Sequence, residues 1–322
     1  MIKHSIMKIL FAAPENAWGG FLNLIQSAVP EHEFEATGGF HIESLEGYDV
    51  LIPTMTTVTR ETLKSCDQLK LIQQCGSGLE LVEIEAAVAQ GIRVANVPTD
   101  ISGNADSVAE VGIYMMIGLS RHVHQMAKSL AEKKMGFPQG RALFGRTVGL
   151  VGLGGIARAL IKRLKTFDVK LIGVKRHNPQ EAREQLGLDW AGTPDELDVL
   201  LQQSDFVMLC LPMTAESKGI INNHVFKQMK KDAFLINLSR GGLVERQDLE
   251  DALASGEIAG AGLDVFWEEP PDPDDPVFRY NVMATPHIGG STDNAMKGIV
   301  AQVAANIRRV ADSKEPLHQF KI

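Results

Sequence analysis

Residues 147–179 read TVGLVGLGGIARALIKRLKTFDVKLIGVKRHNP, and this stretch decides the fold. It starts with a short apolar run at 148–151, whose length suits a buried strand. A glycine-rich turn follows, and then a segment with apolar residues at every third or fourth position, which is typical of a helix. A second apolar run at 169–174 closes the unit. The order of strand, glycine turn, helix and strand within about thirty residues predicts a dinucleotide-binding unit.

The glycine turn has the spacing G-x-G-x-x-A. Gly152 permits a tight turn, and Gly154 lets the backbone approach a pyrophosphate because no Cβ intervenes. Ala157 takes the third position, where a small side chain allows the helix to pack closely on the strand. Gly155 and Ile156 open the helix, whose unpaired N–H groups attract an anion. A flexible turn between two core elements is the alternative, and the flanking strand and helix favour the cofactor site.

The end of the second strand indicates which dinucleotide binds. An Asp or Glu usually stands there and accepts hydrogen bonds from the adenine ribose. This chain has Lys175, Arg176 and His177 instead. Lys and Arg attract a 2′-phosphate, and Arg can bind it through two hydrogen bonds. We therefore expect NADP(H) to be preferred, with NAD(H) as the second cofactor; a solvated basic strand end is the alternative interpretation.

Length and composition limit the class of protein. The chain has 322 residues, more than the ~250–300 at which one core usually divides, so two domains are expected. The net charge of -8 gives no support for nucleic-acid or anionic-membrane partners. No apolar run reaches the ~18 residues of a membrane span, and the N-terminus lacks a signal-peptide pattern. The cysteines lack C-x-x-C spacing, which indicates reduced thiols in the cytoplasm, and no spacing indicates a metal site.

Strand and helix patterns alternate along the chain, which predicts an α/β fold. Residues 101–290 are expected to form a doubly wound parallel sheet of six strands, a Rossmann cofactor domain. Residues 1–100 are expected to form a flavodoxin-like substrate domain with a helix at 79–90. The amphipathic segment within 291–322 is expected to return to that domain and make it discontinuous. One long helix over residues 104–134 is expected between the two domains.

A second glycine turn, Gly76-Ser77-Gly78, follows the predicted strand at 69–73. We expect this turn to open a helix and its backbone N–H groups to bind the carboxylate of a substrate. A plain connection from strand to helix explains the same residues equally well.

Three predicted strands in the second half end in polar side chains. Arg240 follows the strand at 233–238, and His287 follows the strand at 281–285. Asp264 lies at the end of the strand at 259–265, and Glu269 follows that strand. Because ligands of such sheets bind outside the carboxyl ends of the strands, we expect these side chains to converge. Taken singly, each has an ordinary explanation as a surface ion pair or a loop residue.

Together these residues suit hydride transfer between a nicotinamide and a 2-oxo acid. Arg240 would stabilise the negative charge that develops on the carbonyl oxygen. His287 would donate the proton to that oxygen, and would accept it in the reverse direction. Glu269 would orient the imidazole and raise its pKa by favouring the imidazolium. Asp264 would accept hydrogen bonds from the nicotinamide carboxamide, and Arg240 would assist the Gly76–Gly78 turn in binding substrate.

Six pieces of the sequence resemble the D-isomer-specific 2-hydroxyacid dehydrogenases, and the resemblance extends over nearly the whole chain. The pieces are NADSVAE (104–110), GLVGLGGIA (149–157), LCLPMT (209–214), INLSRGGLVE (236–245), GLDVFWEEP (262–270) and TPHIGG (285–290). The resemblance implies a catalytic set of Arg240, Glu269 and His287, in which Glu269 is preferred over Glu268 because it directly precedes a proline. It also implies cofactor contacts at Leu211, Pro212 and Ser239, substrates of D configuration, and a homodimer formed through the cofactor domain.

Departures from the family's patterns narrow the function. Formate enzymes carry Gln at the position of Glu269, and the phosphite enzyme carries Lys at the position of Ser77, so both substrates are disfavoured. The basic pair after the second strand is similar to that of NADPH-linked glyoxylate or hydroxypyruvate reductases. We therefore expect reduction of a small 2-oxo acid such as these. A nucleotide-sensing binding protein or corepressor on the same fold is the alternative function. For the reductase, Trp18, Met55 and Trp267 are candidates for substrate contacts.

Overall fold

The computed structural model describes residues 5–321, and the chain divides into two compact units. One comprises the residues up to Asn104 together with those from Ser291 onward, and the other comprises Ala105–Gly290. The substrate-binding function predicted for the first unit remains a prediction. None of the helices among residues 5–321 is long and apolar enough to cross a membrane.

The first unit is built on a five-stranded parallel sheet with the strand order β2-β1-β3-β4-β5. Its chain order is β1 (Lys8–Phe11), α1 (Ala17–Ala28), β2 (Glu33–Ala36), β3 (Val50–Ile52), β4 (Leu71–Gln73), α2 (Ile84–Ala89) and β5 (Arg93–Ala95). This order is flavodoxin-like, as the alternating pattern predicts. The central strands β3 and β4 are buried throughout, as is usual when both faces of a parallel sheet are covered.

The second unit is built on a seven-stranded parallel sheet with the order β12-β11-β10-β9-β6-β7-β8. Its helices are α3 (Asn104–Ser120, whose first residue belongs to the first unit), α4 (Val123–Ala131), α5 (Gly155–Leu164), α6 (Pro179–Leu186), α7 (Leu197–Gln203), α8 (Asn223–Gln228) and α9 (Arg246–Ser255). Its strands are β6 (Thr147–Val151), β7 (Lys170–Val174), β8 (Trp190–Gly192), β9 (Phe206–Leu209), β10 (Phe234–Asn237), β11 (Gly260–Leu263) and β12 (Val282–Ala284). The predicted α/β fold with a doubly wound Rossmann sheet is confirmed.

Two apolar clusters hold the second sheet, one on each face. Residues of α3, α5 and α6 form the first cluster, and residues of α7, α8 and α9 form the second. Val148 and Leu150 of β6 are 0% exposed and belong to the first cluster, while Val151 belongs to the second. Burying one such side chain is worth about 1.5–3 kcal/mol. This double burial explains why the strands read as continuous apolar runs.

The C-terminal helix α10 (Asp293–Ala311) packs on the first unit, as its amphipathic pattern predicts. Its Ile299, Val303 and Ile307 lie in the same core cluster as Ile9 of β1. The buried amide of Asn306 in α10 donates a hydrogen bond of 2.7 Å to Gln73 Oε1 in β4. The polar contact satisfies both buried amides and sets the position of the helix along the sheet.

Two predicted helices were wrong in extent. The helix predicted over 104–134 is two helices, α3 and α4, because His122 between them has φ 52° and cannot continue a right-handed helix. The helix predicted over 79–90 starts only at Ile84, since Val82 forms a β-bridge with Val58. Helical spacing of apolar residues does not distinguish a continuous helix from one that is interrupted by a single left-handed residue.

Two edge strands were missed, and the predicted count of six strands in the second sheet was wrong. The seventh is β8, which has only three residues. In the first sheet, β2 reads EFEA, and its side chains alternate between exposed and half-buried. Edge strands are short or charged and so lack the apolar run that identifies a central strand.

Candidate active site

The glycine turn after β6 is shaped to receive a dinucleotide phosphate. Gly152 has φ +92°, and a Cβ there would lie 2.9 Å from the Cys210 carbonyl oxygen. Gly154 is the N-cap of α5, and a Cβ there would meet only that oxygen, at 3.9 Å. The space beside Gly154 is therefore open at the positive end of the helix dipole. Ala157 is fully buried against the sheet, which is the close packing that the motif predicts.

The other predicted cofactor residues lie at the carboxyl ends of neighbouring strands. Leu211 and Pro212 follow β9, and Leu211 is half-buried against the second cluster. The Ser239 hydroxyl donates a hydrogen bond of 2.9 Å to the Leu209 carbonyl, so it ties the end of β10 to the end of β9. The contacts of these residues with a cofactor remain predictions.

Lys175 and Arg176 directly follow β7, at the same edge of the sheet as the glycine turn. The Lys175 N–H donates to the Gly192 carbonyl at 2.9 Å, which anchors the start of this segment, and the Arg176 side chain is exposed. The pKa of Glu216 is lowered, chiefly by its hydrogen bond with Thr214 and in small part by the charge of Arg176. The guanidinium of Arg176 therefore lies near the loop after β9.

Arg240 lies in the loop after β10, which closely contacts the loop after β11. It precedes a 3₁₀ turn, Gly241–Leu243, and its Nη1 donates to the Ser239 carbonyl at 2.7 Å. A Cβ on Gly241 would overlap the carbonyl of Phe266 in the loop after β11. The absence of a side chain at Gly241 thus lets the loop of Arg240 approach the loop that carries Glu269.

Glu269 and His287 form a hydrogen-bonded pair. Glu269 Oε2 lies 2.7 Å from His287 Nδ1, and Glu269 Oε1 accepts a hydrogen bond of 3.0 Å from the Phe266 N–H. The glutamate side chain is 16% exposed and the histidine side chain 43% exposed. Two residues that are 18 positions apart in the chain are thereby brought into direct contact.

The charge state of Glu269 follows from these contacts. Burial raises its pKa. The hydrogen bond and charge of His287, the Phe266 N–H and the charge of Arg240 together lower the pKa by a larger amount. The net pKa is below its ordinary value, so the carboxylate is ionised near neutral pH and can only accept hydrogen bonds. Nδ1 of His287 therefore carries the hydrogen, and Nε2 is left to exchange a proton.

Asp264 holds the turn that carries His287. Its Oδ1 accepts hydrogen bonds from the Thr285 hydroxyl at 2.6 Å and the Ile288 N–H at 2.9 Å, and its Oδ2 accepts one from the Gly289 N–H at 2.9 Å. The residue is 2% exposed. His287 itself has φ 51°, an unfavourable left-handed conformation for a residue with a Cβ. Asp264 thus stabilises this turn, whereas its predicted contact with the nicotinamide remains a prediction.

The Gly76–Gly78 turn lies in the first unit, after β4. The prediction that it opens a helix was wrong, because α2 starts only at Ile84. The carbonyls of Gly76 and Ser77 accept hydrogen bonds from the Val97 N–H and the Asn96 amide, which hold the turn in place. Within residues 5–321, the N–H groups of Gly76, Ser77 and Gly78 donate no hydrogen bond. They can serve an anion without the help of a helix dipole.

Sequence reasoning missed the residues that position the site. Thr285 and Gly289 contact Asp264 directly, and the Phe266 N–H binds Glu269. The glycines after Ile288 could have indicated the contact with Asp264, since a Cβ on Gly289 would lie 2.7 Å from Asp264 Oδ2. Trp267, a candidate for substrate contact, packs in part against the second core cluster, and its contact with substrate remains a prediction. In residues 5–321, no group of three or more His, Cys, Asp and Glu side chains could hold a metal ion.

The fold agrees with the comparison to known families. Residues 113–289 match the model of the D-isomer specific 2-hydroxyacid dehydrogenase, NAD binding domain. This match spans more than half of the chain, and the chain belongs to the D-isomer specific 2-hydroxyacid dehydrogenase family. Residues 113–289 correspond to the NAD binding domain of that family.

Individual relatives are consistent with this assignment. The chain is 35% identical to the glyoxylate reductase of Thermococcus litoralis over 288 residues, 86% of this chain and 85% of the relative. It is 36% identical to the D-3-phosphoglycerate dehydrogenase of Methanocaldococcus jannaschii over 273 residues, 84% of this chain but 51% of that relative, so it spans about half the length of that protein. The solved pyruvate reductase of Chlamydomonas reinhardtii is 25% identical, with a TM-score of 0.79 over 98% of each chain.

Proposed function

We propose that this protein is an NADPH-dependent reductase of small 2-oxo acids, such as glyoxylate or hydroxypyruvate, and that a product with a chiral C2 has the D configuration. The observation that carries the proposal is the 2.7 Å contact between Glu269 and His287, beside the charge of Arg240. An ionised carboxylate, an imidazole and a guanidinium are the groups that reduction of a 2-oxo acid requires. The glyoxylate reductase relative supports this choice of substrate.

In the proposed reaction the bound nicotinamide supplies a hydride to the carbonyl carbon. Arg240 stabilises the negative charge that builds up on the carbonyl oxygen, and it does so without reorganisation because its loop is already packed against Phe266. His287 donates a proton to that oxygen from Nε2. Glu269 keeps the imidazole oriented through Nδ1 and stabilises its protonated form before transfer.

The cofactor proposal rests on two features of the second unit. The open space beside Gly154 at the start of α5 suits a pyrophosphate, and Arg176 with Lys175 suits a 2′-phosphate. Neither side chain is an acid that would accept hydrogen bonds from the ribose of NAD(H). We therefore propose NADP(H) as the preferred cofactor.

The substrate carboxylate is proposed to bind the Gly76-Ser77-Gly78 turn. In the described part of the chain, residues 5–321, the N–H groups of this turn donate no hydrogen bond, and a Cβ on Gly76 would meet nothing within 4 Å, so the turn is accessible. A turn of backbone N–H groups favours a small carboxylate over a neutral ketone, because the negative charge is what it stabilises.

Turnover by the purified protein tests the function. Loss of NADPH absorbance should be readily measurable with glyoxylate and should fall by roughly 10²-fold or more in His287→Ala, because the proton donor is removed. His224→Ala is the matched control, since His224 lies exposed on α8. Binding of NADPH without turnover of any 2-oxo acid would favour a nucleotide-sensing binding protein.

We also propose that the protein forms a homodimer in the cytoplasm. Leu130, Met135, Phe137 and Phe144, on α4 and the segment that follows it, are 68–87% exposed. Such a concentration of exposed apolar side chains supports the proposed interface between two copies of the chain. The three cysteines are free thiols, which suits a reducing compartment.

A further inference from the structure

Trp267 belongs to the loop that carries Glu269, and its side chain reaches the loop that carries Arg240. Its indole Nε1 donates a hydrogen bond of 2.7 Å to the Val244 carbonyl. Val244 closes the 3₁₀ turn that follows Arg240, because its N–H bonds to the Gly241 carbonyl. The indole ring is half-buried against the second core cluster, so the hydrogen bond is shielded from water on that side.

A second contact joins the same two loops through their backbones. A Cβ on Gly241 would lie 2.6 Å from the Trp267 nitrogen and would overlap the Phe266 carbonyl. The N–H of the same residue, Phe266, donates to Glu269 Oε1. A continuous series of contacts therefore runs from the turn after Arg240, through Trp267 and Phe266, to the carboxylate that orients His287.

We propose that Trp267 is a positioning residue that fixes the loop of Glu269 against the loop of Arg240 through its indole hydrogen bond to Val244. This inference rests on the proposed function, because it assigns Trp267 a part in the same site. Without the indole N–H, the two loops lose the hydrogen bond that joins them, and the Glu269 carboxylate is positioned less firmly relative to Arg240. A displacement of about 1 Å at a reacting group can cost roughly 10²-fold in rate.

Trp267→Phe tests the inference, because it keeps an aromatic ring in the core and removes only the donor. Trp190→Phe is the matched control, since Trp190 of β8 is a half-buried indole in the same core cluster. We expect kcat with glyoxylate and NADPH to fall roughly 10-fold or more in Trp267→Phe. The KM for NADPH should stay within about 2-fold of the wild-type value, because the glycine turn after β6 is untouched.

The pH profile separates positioning from general loosening of the fold. Glu269 is faced by His287, Arg240 and the Phe266 N–H, and each of them lowers its pKa. When the loop of Trp267 is no longer fixed, the hydrogen bond from the Phe266 N–H weakens and the pKa of Glu269 rises. The acid limb of kcat/KM should therefore move to higher pH in Trp267→Phe and stay in place in Trp190→Phe. An unchanged kcat in Trp267→Phe, or an equal loss in both variants, overturns the inference.

Failure of the proposed function gives a different result. In that case the wild-type protein turns over no 2-oxo acid, and the positioning of Glu269 is read from the His287 side-chain signal in ¹⁵N NMR. A signal that changes in Trp267→Phe but not in Trp190→Phe supports the positioning role. An unchanged signal in both variants overturns it.

Discussion

The Asp264 carboxylate and the Gly289 N–H lie 2.9 Å apart, and this hydrogen bond closes the turn that carries His287. Asp264 also accepts hydrogen bonds from Thr285 and Ile288. One buried carboxylate thus contacts the residues on both sides of the proposed proton donor. Asp264 therefore holds the backbone of the turn that carries the imidazole, whereas Glu269 contacts the imidazole itself.

Asp264→Asn should lower kcat and stability together. An amide has the same size but places N–H donors opposite an N–H of the turn, so at least one hydrogen bond is lost. We expect a loss of about 1–3 kcal/mol in the free energy of unfolding, measured by urea denaturation. Asp248→Asn is the control, because Asp248 accepts a single hydrogen bond at an exposed site on α9. A higher KM for NADPH with unchanged kcat would instead favour a contact with the nicotinamide.

Glu269→Gln should change how stability depends on pH. The pKa of Glu269 in the folded protein is lowered from its ordinary value of 4.5, so the ionised form stabilises the fold above about pH 4.5. That stabilisation should disappear as the pH falls through the lowered pKa. Urea denaturation at a series of pH values should show wild type and Glu269→Gln converging on the acid side. Glu268→Gln, at the exposed neighbouring acid, should follow the wild type throughout.

Arg176→Ala should reduce the preference for NADPH over NADH. Removing a charged hydrogen bond to the 2′-phosphate costs about 1.5–3 kcal/mol, which corresponds to roughly 10- to 100-fold in the ratio of kcat/KM values. The efficiency with NADH should change little. Lys227→Ala, at a position on α8, controls for the loss of a positive charge. An unchanged ratio would show that Arg176 does not bind the phosphate.

Leu130→Glu should weaken the proposed homodimer. A charge placed among exposed apolar side chains must be desolvated when a second copy binds, which opposes association. The mass of the protein, measured by light scattering after size-exclusion chromatography, should shift towards that of one chain. Leu24→Glu on α1 controls for an added charge at an exposed leucine of the other unit. A wild-type protein that runs as a monomer would contradict the proposal directly.

The sequence alone determined the fold class and the identity of the candidate site residues. Central strands such as β6 form apolar runs because both faces of a parallel sheet are buried. The glycine turn was recognisable because few residues other than glycine adopt the backbone conformation that such a turn requires. The polar residues after β10, β11 and β12 were recognisable because carboxyl ends of parallel strands share one edge. The edge strand β8 and the break at His122 carried no such signal, because three residues or one left-handed residue leave no periodic pattern.

Only the tertiary structure decided which contacts hold the site together. Nothing in the sequence indicates that Asp264 binds the turn at 285–289, or that the Trp267 indole reaches Val244. These hydrogen bonds join residues 21–25 positions apart, and they depend on how two loops meet at the edge of a sheet. Local sequence specifies local backbone preferences, whereas the geometry between loops is set by the packing of the whole sheet and its helices.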